Sequence, residues 1–511
     1  MFVCALLVRL LYLLSLRHAY FFTHLLTEPR RYAEWAAAIV DGTARGLPPF
    51  DEAPASPYLL AAVRKGFGSA VATAAGAQAV FDAASCAAMA ILGRRLAGPR
   101  AGWIAGVLGA LYGPLIYFCG ELVPATTLVF AIATAVVATP DAVDRPRRWI
   151  LAGVLWSATL LVRTEAALAL PLVMIHAFRH GGRRALQQIA AAPLLLVAAS
   201  LAVNVIVSGH WVPMTTGGGV NLWLGNNPVA DGVNPFIHGS LNETVAEVNA
   251  LAHDPADADV LFAARAAEFW RSRPAAAVRL LVRKIAWTLT DRELPNTTDI
   301  DWETSQSWMF YSPWFPLHFG VLLPLALAGA FLNLRAGRDL TLLATGAAIA
   351  FGTSAIFFTN ARFRLVLVLT LVPLAAHALD RAASLWRDRR IERGALAGAL
   401  SAVAVGTVVA GANVDGVRQY AVPQIAVNVG ALERAAGDSP AAVRHLEAAL
   451  RVDSEDAAGW IQLALAYEES GQVERARATW QSNRARWPDE PLVQQMIERF
   501  ERRNPKPVSP K

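Results

Sequence analysis

Charged residues are scarce in this chain. Only 17% of its 511 residues are Asp, Glu, Lys or Arg, whereas 55% are apolar and the mean hydropathy is +0.37. A soluble globular protein carries about 25% charged residues, so this composition excludes an ordinary soluble protein and indicates several membrane-embedded segments. The net charge of +6 comes mainly from arginines in short clusters between apolar runs. That pattern argues against a surface that binds nucleic acid.

Cysteines and catalytic signature motifs are also few. Cys4, Cys86 and Cys119 lie in or beside apolar runs, so they form neither a disulfide framework nor a paired metal site. The P-loop, GxSxG, HExxH and Rossmann glycine patterns are absent from suitable strand-to-helix junctions, which argues against an ATP-driven pump and against a zinc or serine hydrolase. Because no compact set of ligands is visible, no metal site is predicted.

Long apolar runs indicate the fold class. A bilayer core of about 30 Å needs roughly 17–25 apolar residues per helix. The sequence predicts an all-α, polytopic membrane helical bundle with about eleven transmembrane helices. The fifth and sixth runs are short, so a re-entrant pair is the alternative to two full spans. The predicted spans are 2–25, 69–92, 101–118, 122–139, 149–162, 164–178, 185–207, 316–332, 340–358, 363–380 and 395–413.

Arginine clusters predict the orientation of these spans. Lys and Arg collect in cytoplasmic loops, and arginines are concentrated in alternate loops of this chain. This alternation predicts a cytoplasmic N-terminus, with residues 26–68, 208–315 and everything after about 414 on the outer face, which in a bacterium is the periplasm. We therefore expect a multi-pass protein of the bacterial inner membrane.

The first outer loop combines an amphipathic pattern with an acid. Apolar residues recur at helical spacing from Arg30 to Asp41, which predicts a helix lying on the membrane surface, and Tyr58 to Phe67 predicts a second short helix beside it. Glu28 precedes them, next to the lipid interface. An acid there is costly to desolvate unless it has a function or a partner, the simplest alternative being a solvated ion pair with a neighbouring arginine.

The segment after the last span has a different composition and repeats itself. It is polar and helical, and it follows the tetratricopeptide pattern W-x2-L-G-x2-Y with a period of about 34 residues. The predicted organisation is a membrane domain at 1–414, a tetratricopeptide module at 423–503 and a disordered tail at 504–511. Such a module docks a protein partner, or serves as a spacer. The matching positions are Gly430, Gly437, Ala442, Leu446, Trp460, Leu463, Ala464, Tyr467, Gly471, Ala476, Trp480 and Pro488.

Four segments resemble membrane glycosyltransferases of the GT-C superfamily, in particular the protein mannosyltransferase and aminoarabinose transferase group (glycosyltransferase family 39-like). The resemblance covers roughly residues 1–415 in order and topology. The segments are EPRRYAEWAAAIVDG with FDEAPASPYLLA, VPMTTGGGVNLWLGNNPVADG, RELPNTTD and ARFRL.

This resemblance implies a GT-C-like membrane enzyme that transfers a sugar from a polyprenyl-phosphate-linked lipid donor to an acceptor protein, lipid or glycan on the outer face. It implies that Glu28 is the general base or orients the acceptor. In that family the first-loop acid is aspartate, and glutamate reaches one methylene further. A divalent metal ion as cofactor stays open, because some members of the superfamily use one.

The substrate-binding candidates come from the matched segments. Arg362, Arg364 and Arg163 are candidates for neutralising the leaving phosphate, because the guanidinium fork suits phosphate geometry. An interfacial anchor is the alternative role of the first two, and a salt bridge to Glu165 that of the third. The other candidates are Arg31, Tyr32, Glu52, Asn221, Asn226, Asn227 and Glu293; for the asparagines a tight structural turn is the alternative.

Two functions of other classes remain as alternatives. A transporter or flippase of a lipid-linked substrate would explain many spans, but it would also be expected to show related halves or charges at the membrane midplane. A non-catalytic membrane scaffold would simply display the repeats.

Overall fold

The computed structural model describes residues 1–43, 52–140, 146–233, 240–295, 300–311, 317–388, 393–412, 422–452, 454, 456–488 and 491–505. Regular structure in these ranges is helical, and their single β-type contact is a parallel bridge between Tyr112 and Leu317. The predicted all-α fold is confirmed. Residues 413–421, which contain most of the predicted domain boundary, and residues 506–511 of the predicted disordered tail 504–511 lie outside the described residues.

Helices follow one another closely in the first part of the chain. They are α1 (Phe2–Ser15), α2 (Tyr20–Thr23), α3 (Thr27–Val40), α4 (Ala55–Phe67), α5 (Val71–Ala97), α6 (Pro99–Leu111), α7 (Gly113–Phe118), α8 (Ala125–Ala138), α9 (Pro146–Val162), a 3₁₀ turn (Thr164–Ala169) and α10 (Leu170–Ser208).

The second part contains the long outer loop, further apolar helices and the C-terminal module. The outer loop contains α11 (Gly218–Gly225), α12 (Ser240–Leu251), α13 (Pro255–Ser272), α14 (Pro274–Leu289), α15 (Ile300–Ser305) and a 3₁₀ turn (Trp308–Tyr311). The apolar helices are α16 (Phe319–Arg335), α17 (Ala344–Ile356), α18 (Ala361–Arg364), a 3₁₀ turn (Leu365–Leu367), α19 (Val368–Asp388) and α20 (Arg393–Gly411). The module contains α21 (Val422–Ala435), α22 (Ser439–Val452), α23 (Ala457–Glu469), α24 (Val473–Arg486) and α25 (Pro491–Arg503).

Each of the eleven apolar runs contains helix, but several of the helices are too short to cross a membrane by themselves. By length and composition, four described helical segments can cross a membrane, or five if the bent pair Phe2–Ser15 and Tyr20–Val40 is one span. Others, including α8, α16 and α17, have 10–17 residues. The count of eleven spans therefore stays a prediction.

A break in α10 explains why the sequence divides this region into two spans. Gly182 has φ 66° and ψ −163°, which is not helical, and so separates the runs predicted at 164–178 and 185–207. Arg163, at φ −157°, separates the first of these runs from α9. The two breaks are made differently, since extended backbone is open to any residue whereas positive φ favours glycine.

The first outer loop forms the predicted pair of helices. The amphipathic pattern at 30–41 is helical as α3, and the segment predicted at 58–67 is helical as α4. The chain bends by 95° between α1 and the Tyr20–Val40 segment. The position of α3 on the membrane surface stays a prediction. Tyr32 and Ala36 are buried on its inner face.

A buried ion pair joins the first helix to the bundle. The Arg9 guanidinium donates hydrogen bonds to the Asp82 carboxylate, to the Ala110 carbonyl and, at 3.1 Å, to the Gly109 carbonyl. Arg9 and Asp82 are both 0% exposed. Because a buried charge without a partner costs several kcal/mol, these contacts fix α1 against α5 and α6.

The C-terminal helices pack as repeats and rest on the membrane domain. Gly430 on α21 lies so close to Leu446 on α22 that a Cβ atom there would be 2.6 Å from the leucine side chain. Leu432 is buried in one cluster with Phe21, and the Tyr20 hydroxyl donates a hydrogen bond to Asp438 at 3.1 Å. The module therefore contacts the segment that leads into α3.

Glycines set how closely membrane helices approach, and Gly329 makes the most specific prediction. A Cβ atom at Gly329 on α16 would lie 1.9 Å from the Leu374 carbonyl oxygen on α19, whereas one at Gly76 on α5 meets nothing within 4 Å. We expect Gly329→Ala to destabilise the protein by about 1–3 kcal/mol through overpacking. Gly76→Ala should be neutral or slightly stabilising, because Ala favours a helix over Gly by about 0.5–1 kcal/mol. Thermal unfolding of both variants in detergent tests this, and equal midpoints would contradict it.

Candidate functional site

One cavity brings together most of the predicted site residues. It has about 710 Å³ of empty space including its open mouth, and its wall is formed by α3, the turn after α9, the start of α11 and the α17–α18 connection. The lining residues that were predicted from the sequence are Glu28, Tyr32, Glu52, Arg163, Asn221 and Arg362.

The central contact in this wall is an ion pair between Glu28 and Arg362. Glu28 lies in the first turn of α3, directly after Thr27, whose φ of 46° is unusual for a residue other than glycine. Arg362 lies on α18, where the Asn360 side chain caps the helix by accepting a hydrogen bond from the Phe363 amide at 3.1 Å. The Arg362 guanidinium donates to the Glu28 carboxylate, and both side chains are nearly buried.

Charge dominates the acidity of Glu28. Burial by itself would raise the pKa of this carboxyl, but the positive charges of Arg362 and Arg163 outweigh burial and hold the pKa below its ordinary value. Glu28 is therefore a carboxylate at neutral pH. It can accept a proton or a hydrogen bond from a hydroxyl group.

Three further residues of the first outer loop form a network beside this pair. The Tyr32 hydroxyl donates to the Glu52 carboxylate, which also pairs with Arg31. Burial is the main reason that the pKa of Tyr32 is raised well above its ordinary value, so Tyr32 remains a neutral hydrogen-bond donor. Glu52 is 20 residues from Tyr32 in the chain, and the packing of α3 on α4 brings them together.

Two arginines lie against one aromatic ring in the cavity wall. The guanidinium carbons of Arg163 and Arg362 lie 5.2 Å and 4.9 Å from the centroid of Phe363, within the range of cation–π contacts. Arg163 also forms the salt bridge to Glu165 that was the alternative at the sequence level. The cavity does not suit a divalent cation, because its three carboxylates, Glu28, Glu52 and Glu165, each pair with an arginine.

The three predicted asparagines separate into two groups. Asn221 lines the cavity, and its side chain donates to the Gly217 carbonyl at 2.6 Å. Asn226 and Asn227 are buried outside it and satisfy backbone groups at the end of α11. The Asn226 side-chain oxygen also accepts from Lys284 at 3.1 Å, so for these two residues the structural alternative describes their contacts better than sugar binding.

The predicted phosphate-binding arginines are also separated. Arg364 is buried and pairs with Glu293 at 2.7 Å, and it donates to the Arg292 carbonyl at 3.1 Å. Its guanidinium also lies 4.4 Å from the ring centroid of Phe319. Arg364 and Glu293 therefore tie the end of the long outer loop to the bundle, and neither lines the cavity.

Several features were not predicted from the sequence. Phe357, Phe358 and Phe363 line the cavity, and the aromatic run before ARFRL was the available signal. The expectation that no compact set of metal ligands exists is corrected, because two His–Asp clusters assemble among the described residues from segments far apart in the chain. They are His176, His180 and Asp339, and His210, Asp254 and Asp257.

Lys284 is a buried cation that no sequence pattern indicated. It is 0% exposed on α14 and donates to the Asn226 side chain and, at 3.4 Å, to the Ala355 carbonyl. Burial lowers its pKa to about 7. The lysine thus joins the outer loop to the end of α17 while carrying an easily lost proton.

Stability should depend on pH through Lys284. Its pKa is lower in the folded than in the unfolded protein, so between about pH 7 and 10 the unfolded state binds more protons and stability rises with pH. We expect the unfolding free energy of the parent relative to Lys284→Met to increase over this range, by at most about 1.4 kcal/mol per pH unit. The Lys65→Met variant, which removes an exposed lysine, is the control. If the parent gains stability with pH over Lys65→Met as much as it does over Lys284→Met, the prediction is contradicted.

Two segments of the chain match family models. Residues 51–211 match the model described as dolichyl-phosphate-mannose-protein mannosyltransferase, and residues 433–499 match a tetratricopeptide repeat model. The resemblance found in the sequence, and the repeats, are confirmed over these segments. No curated protein sequence matches the chain.

Solved structures similar to this chain include two membrane enzymes. One is the archaeal oligosaccharyltransferase AglB from Archaeoglobus fulgidus in complex with an inhibitory peptide and a dolichol-phosphate, with 14% identity, TM-score 0.43 and 88% of this chain covered. The other is ArnT from Cupriavidus metallidurans bound to undecaprenyl phosphate, with 16% identity, TM-score 0.41 and coverage of 93% of this chain and 77% of that chain. The match spans 59% of the length of the oligosaccharyltransferase.

Proposed function

We propose that this chain is an integral-membrane glycosyltransferase. It transfers a sugar from a polyprenyl-phosphate-linked donor to an acceptor on the outer, periplasmic face of the bacterial inner membrane. The observation that carries the proposal is the Glu28–Arg362 pair in the cavity wall. The match of residues 51–211 to the mannosyltransferase model supports the same reaction class.

The chemistry of the pair suits this transfer. Glu28 accepts the proton of an acceptor hydroxyl as the hydroxyl oxygen attacks the anomeric carbon of the donor sugar. The bond between that carbon and the phosphate oxygen breaks, and polyprenyl phosphate leaves. Arg362 and Arg163 face the same cavity and neutralise the charge that grows on the leaving phosphate.

The same contact couples donor binding to the strength of the base. Without donor, Arg362 lowers the pKa of Glu28 and keeps it a weak base. A donor phosphate competes with the Glu28 carboxylate for the Arg362 guanidinium, because both anions fit the guanidinium fork. When Arg362 turns to the phosphate, the pKa of Glu28 rises and the carboxylate becomes a better base. Glu28 would then be most active when the donor is in place.

The remaining predicted residues have supporting roles in this proposal. Tyr32, Glu52 and Arg31 form the hydrogen-bonded network that receives the acceptor beside Glu28. Asn221 lines the same cavity and is assigned to sugar binding there. Arg364, Glu293, Asn226 and Asn227 hold the walls of the cavity through the contacts described above.

The tetratricopeptide module is proposed to recruit the acceptor protein or an assembly partner. The proposed domains are 1–414 for transfer and 423–503 for docking, with the module in the periplasm. Its support is the contact of Asp438 and Leu432 with the Tyr20–Phe22 segment, which directly precedes α3 and Glu28. A protein held by the module would therefore lie near the mouth of the cavity.

Removing the charge of Glu28 should abolish the reaction. We expect Glu28→Gln to lower sugar transfer from a labelled polyprenyl-phosphate donor by about 10²–10⁴-fold, the usual contribution of a general base. Glu34→Gln is the matched control on the same helix. Glu34 is 64% exposed, its partner is Arg30 at 2.7 Å, and the substitution should leave transfer unchanged.

The outcomes of this assay separate the alternatives. Full transfer by Glu28→Gln would overturn the role of Glu28. A parent protein that moves the lipid across vesicles without transferring sugar would favour a transporter. A parent protein that neither transfers sugar nor binds polyprenyl phosphate would favour a scaffold.

Arg362 should be required for lipid binding. We expect Arg362→Ala to weaken binding of polyprenyl phosphate by about 10–100-fold, since a hydrogen bond to a charged group contributes about 1.5–3 kcal/mol. Native mass spectrometry of the detergent-purified protein measures the occupancy. Arg30→Ala removes an exposed arginine of the same outer loop and should bind the lipid as the parent does; equal occupancy in all three proteins would contradict the assignment.

A further inference from the structure

A histidine pair and a carboxylate meet at the end of the bundle remote from Glu28. His176 and His180 lie one helical turn apart on α10, so they project from the same face of the helix. Asp339 comes from the connection between α16 and α17. One ligand atom from each residue lies within 4.8 Å of the other two, and the rings of the two histidines are 4.3 Å apart between centroids.

The ring of His176 is oriented by its own hydrogen bond. Its Nε2 atom lies 2.9 Å from the Pro140 carbonyl oxygen, which can only accept, so Nε2 carries the proton and Nδ1 carries the lone pair. Histidines that bind metals typically donate their other ring N–H to a carbonyl or carboxylate in this way. The proton on Nε2 therefore leaves Nδ1 as the ligand atom.

The distance between the ligand atoms of His180 and Asp339 is close to that between two ligands of one metal ion. His180 Nε2 lies 2.9 Å from Asp339 Oδ2. Two ligands of one tetrahedral zinc, each about 2.0–2.1 Å from the ion, are separated by about 3.3 Å. The other Asp339 oxygen accepts from the Thr341 amide at 2.8 Å, so the carboxylate is held in this direction.

Nearby arginines are engaged elsewhere. Arg95 donates to the Val137 carbonyl at 2.8 Å, and Arg338 donates to the Leu96 carbonyl at 2.8 Å. Both line a cavity of about 960 Å³ of empty space, which His176, His180 and Asp339 line as well. An ion held by two neutral histidines and one carboxylate would carry a net charge of +1, and its remaining position would be reached from this cavity.

The cluster is independent of the proposed transfer site. Leu343, at the start of α17, lines the cavity of the cluster, whereas Thr353 and Phe357, near its end, line the cavity of Glu28. At 1.5 Å per residue, α17 separates the two cavities by about 20 Å. By the arginine distribution, the cluster faces the cytoplasm.

We propose that His176, His180 and Asp339 form a binding site for a divalent transition-metal ion such as Zn²⁺. The ligand set is two imidazoles and one carboxylate, with one coordination position open to the adjacent cavity. The second cluster, His210 with Asp254 and Asp257, suits such an ion less well, because it offers one imidazole instead of two and none of its residues is buried, whereas His176 is buried in the first cluster. His210 therefore provides a matched control.

Cobalt titration of the full-length protein tests the proposal. The chain is purified in detergent without a polyhistidine tag, treated with a chelator, dialysed and titrated with Co²⁺, whose visible absorption reports tetrahedral coordination. We expect one Co²⁺ per chain, displaced by Zn²⁺. His180→Ala and Asp339→Asn should each weaken binding at least 10-fold, and His210→Ala should bind as the parent does.

Two further measurements keep the result interpretable. Thermal unfolding shows whether a variant has kept its fold. If His180→Ala has lost it, Asp339→Asn decides the outcome, because this substitution keeps the size of the side chain. Glu28→Gln should bind Co²⁺ as the parent does, so failure of sugar transfer does not affect this test. A parent that binds no Co²⁺, binding unchanged in both cluster variants, or binding lost in His210→Ala would each overturn the proposal.

Discussion

Removing a charged group from water costs several kcal/mol, and this chain meets that cost by pairing its buried arginines with carboxylates from distant segments. Arg9 meets Asp82, Arg364 meets Glu293, and Arg362 meets Glu28. The first pair fixes α1 in the bundle, and the second fixes the end of the long outer loop. The third differs from the others because it faces a cavity. An anion that enters this cavity can exchange partners with the third pair, whereas neither of the first two pairs lines it.

The two ends of the bundle are suited to different ligands. At the end that carries Glu28, the three carboxylates that line the cavity, Glu28, Glu52 and Glu165, each pair with an arginine. At the other end, two histidines and Asp339 converge while the neighbouring arginines donate to backbone carbonyls. The same short helix, α17, reaches both cavities.

Sequence reasoning was most accurate where a local pattern decides the structure. The amphipathic spacing after Glu28 predicted α3, and the repeat pattern predicted the helices of the C-terminal module. Sequence reasoning was less accurate in assigning roles to residues of the same type that lie close together in the chain. Arg362 and Arg364 are two positions apart and looked equivalent, yet one lines the cavity and the other is buried in its wall. Asn221 and Asn226 differ in the same way, because Asn221 lies within α11 and lines the cavity, whereas Asn226 follows the last residue of α11 and bonds backbone carbonyls.

The sequence by itself determined the helical class, the expected orientation, the repeat module and the identity of Glu28 as the acid to examine. The first three follow from composition, from arginine distribution and from short periodicities, which are properties of neighbouring residues. Glu28 was singled out by its place beside the lipid interface and by the resemblance to GT-C enzymes. Only the tertiary structure decided which cation meets Glu28, which asparagine faces the cavity, and that His176 and His180 lie beside Asp339. Those contacts join residues up to 334 positions apart. Their formation depends on helix packing and on the need to pair buried charge, and neither is visible in a local pattern.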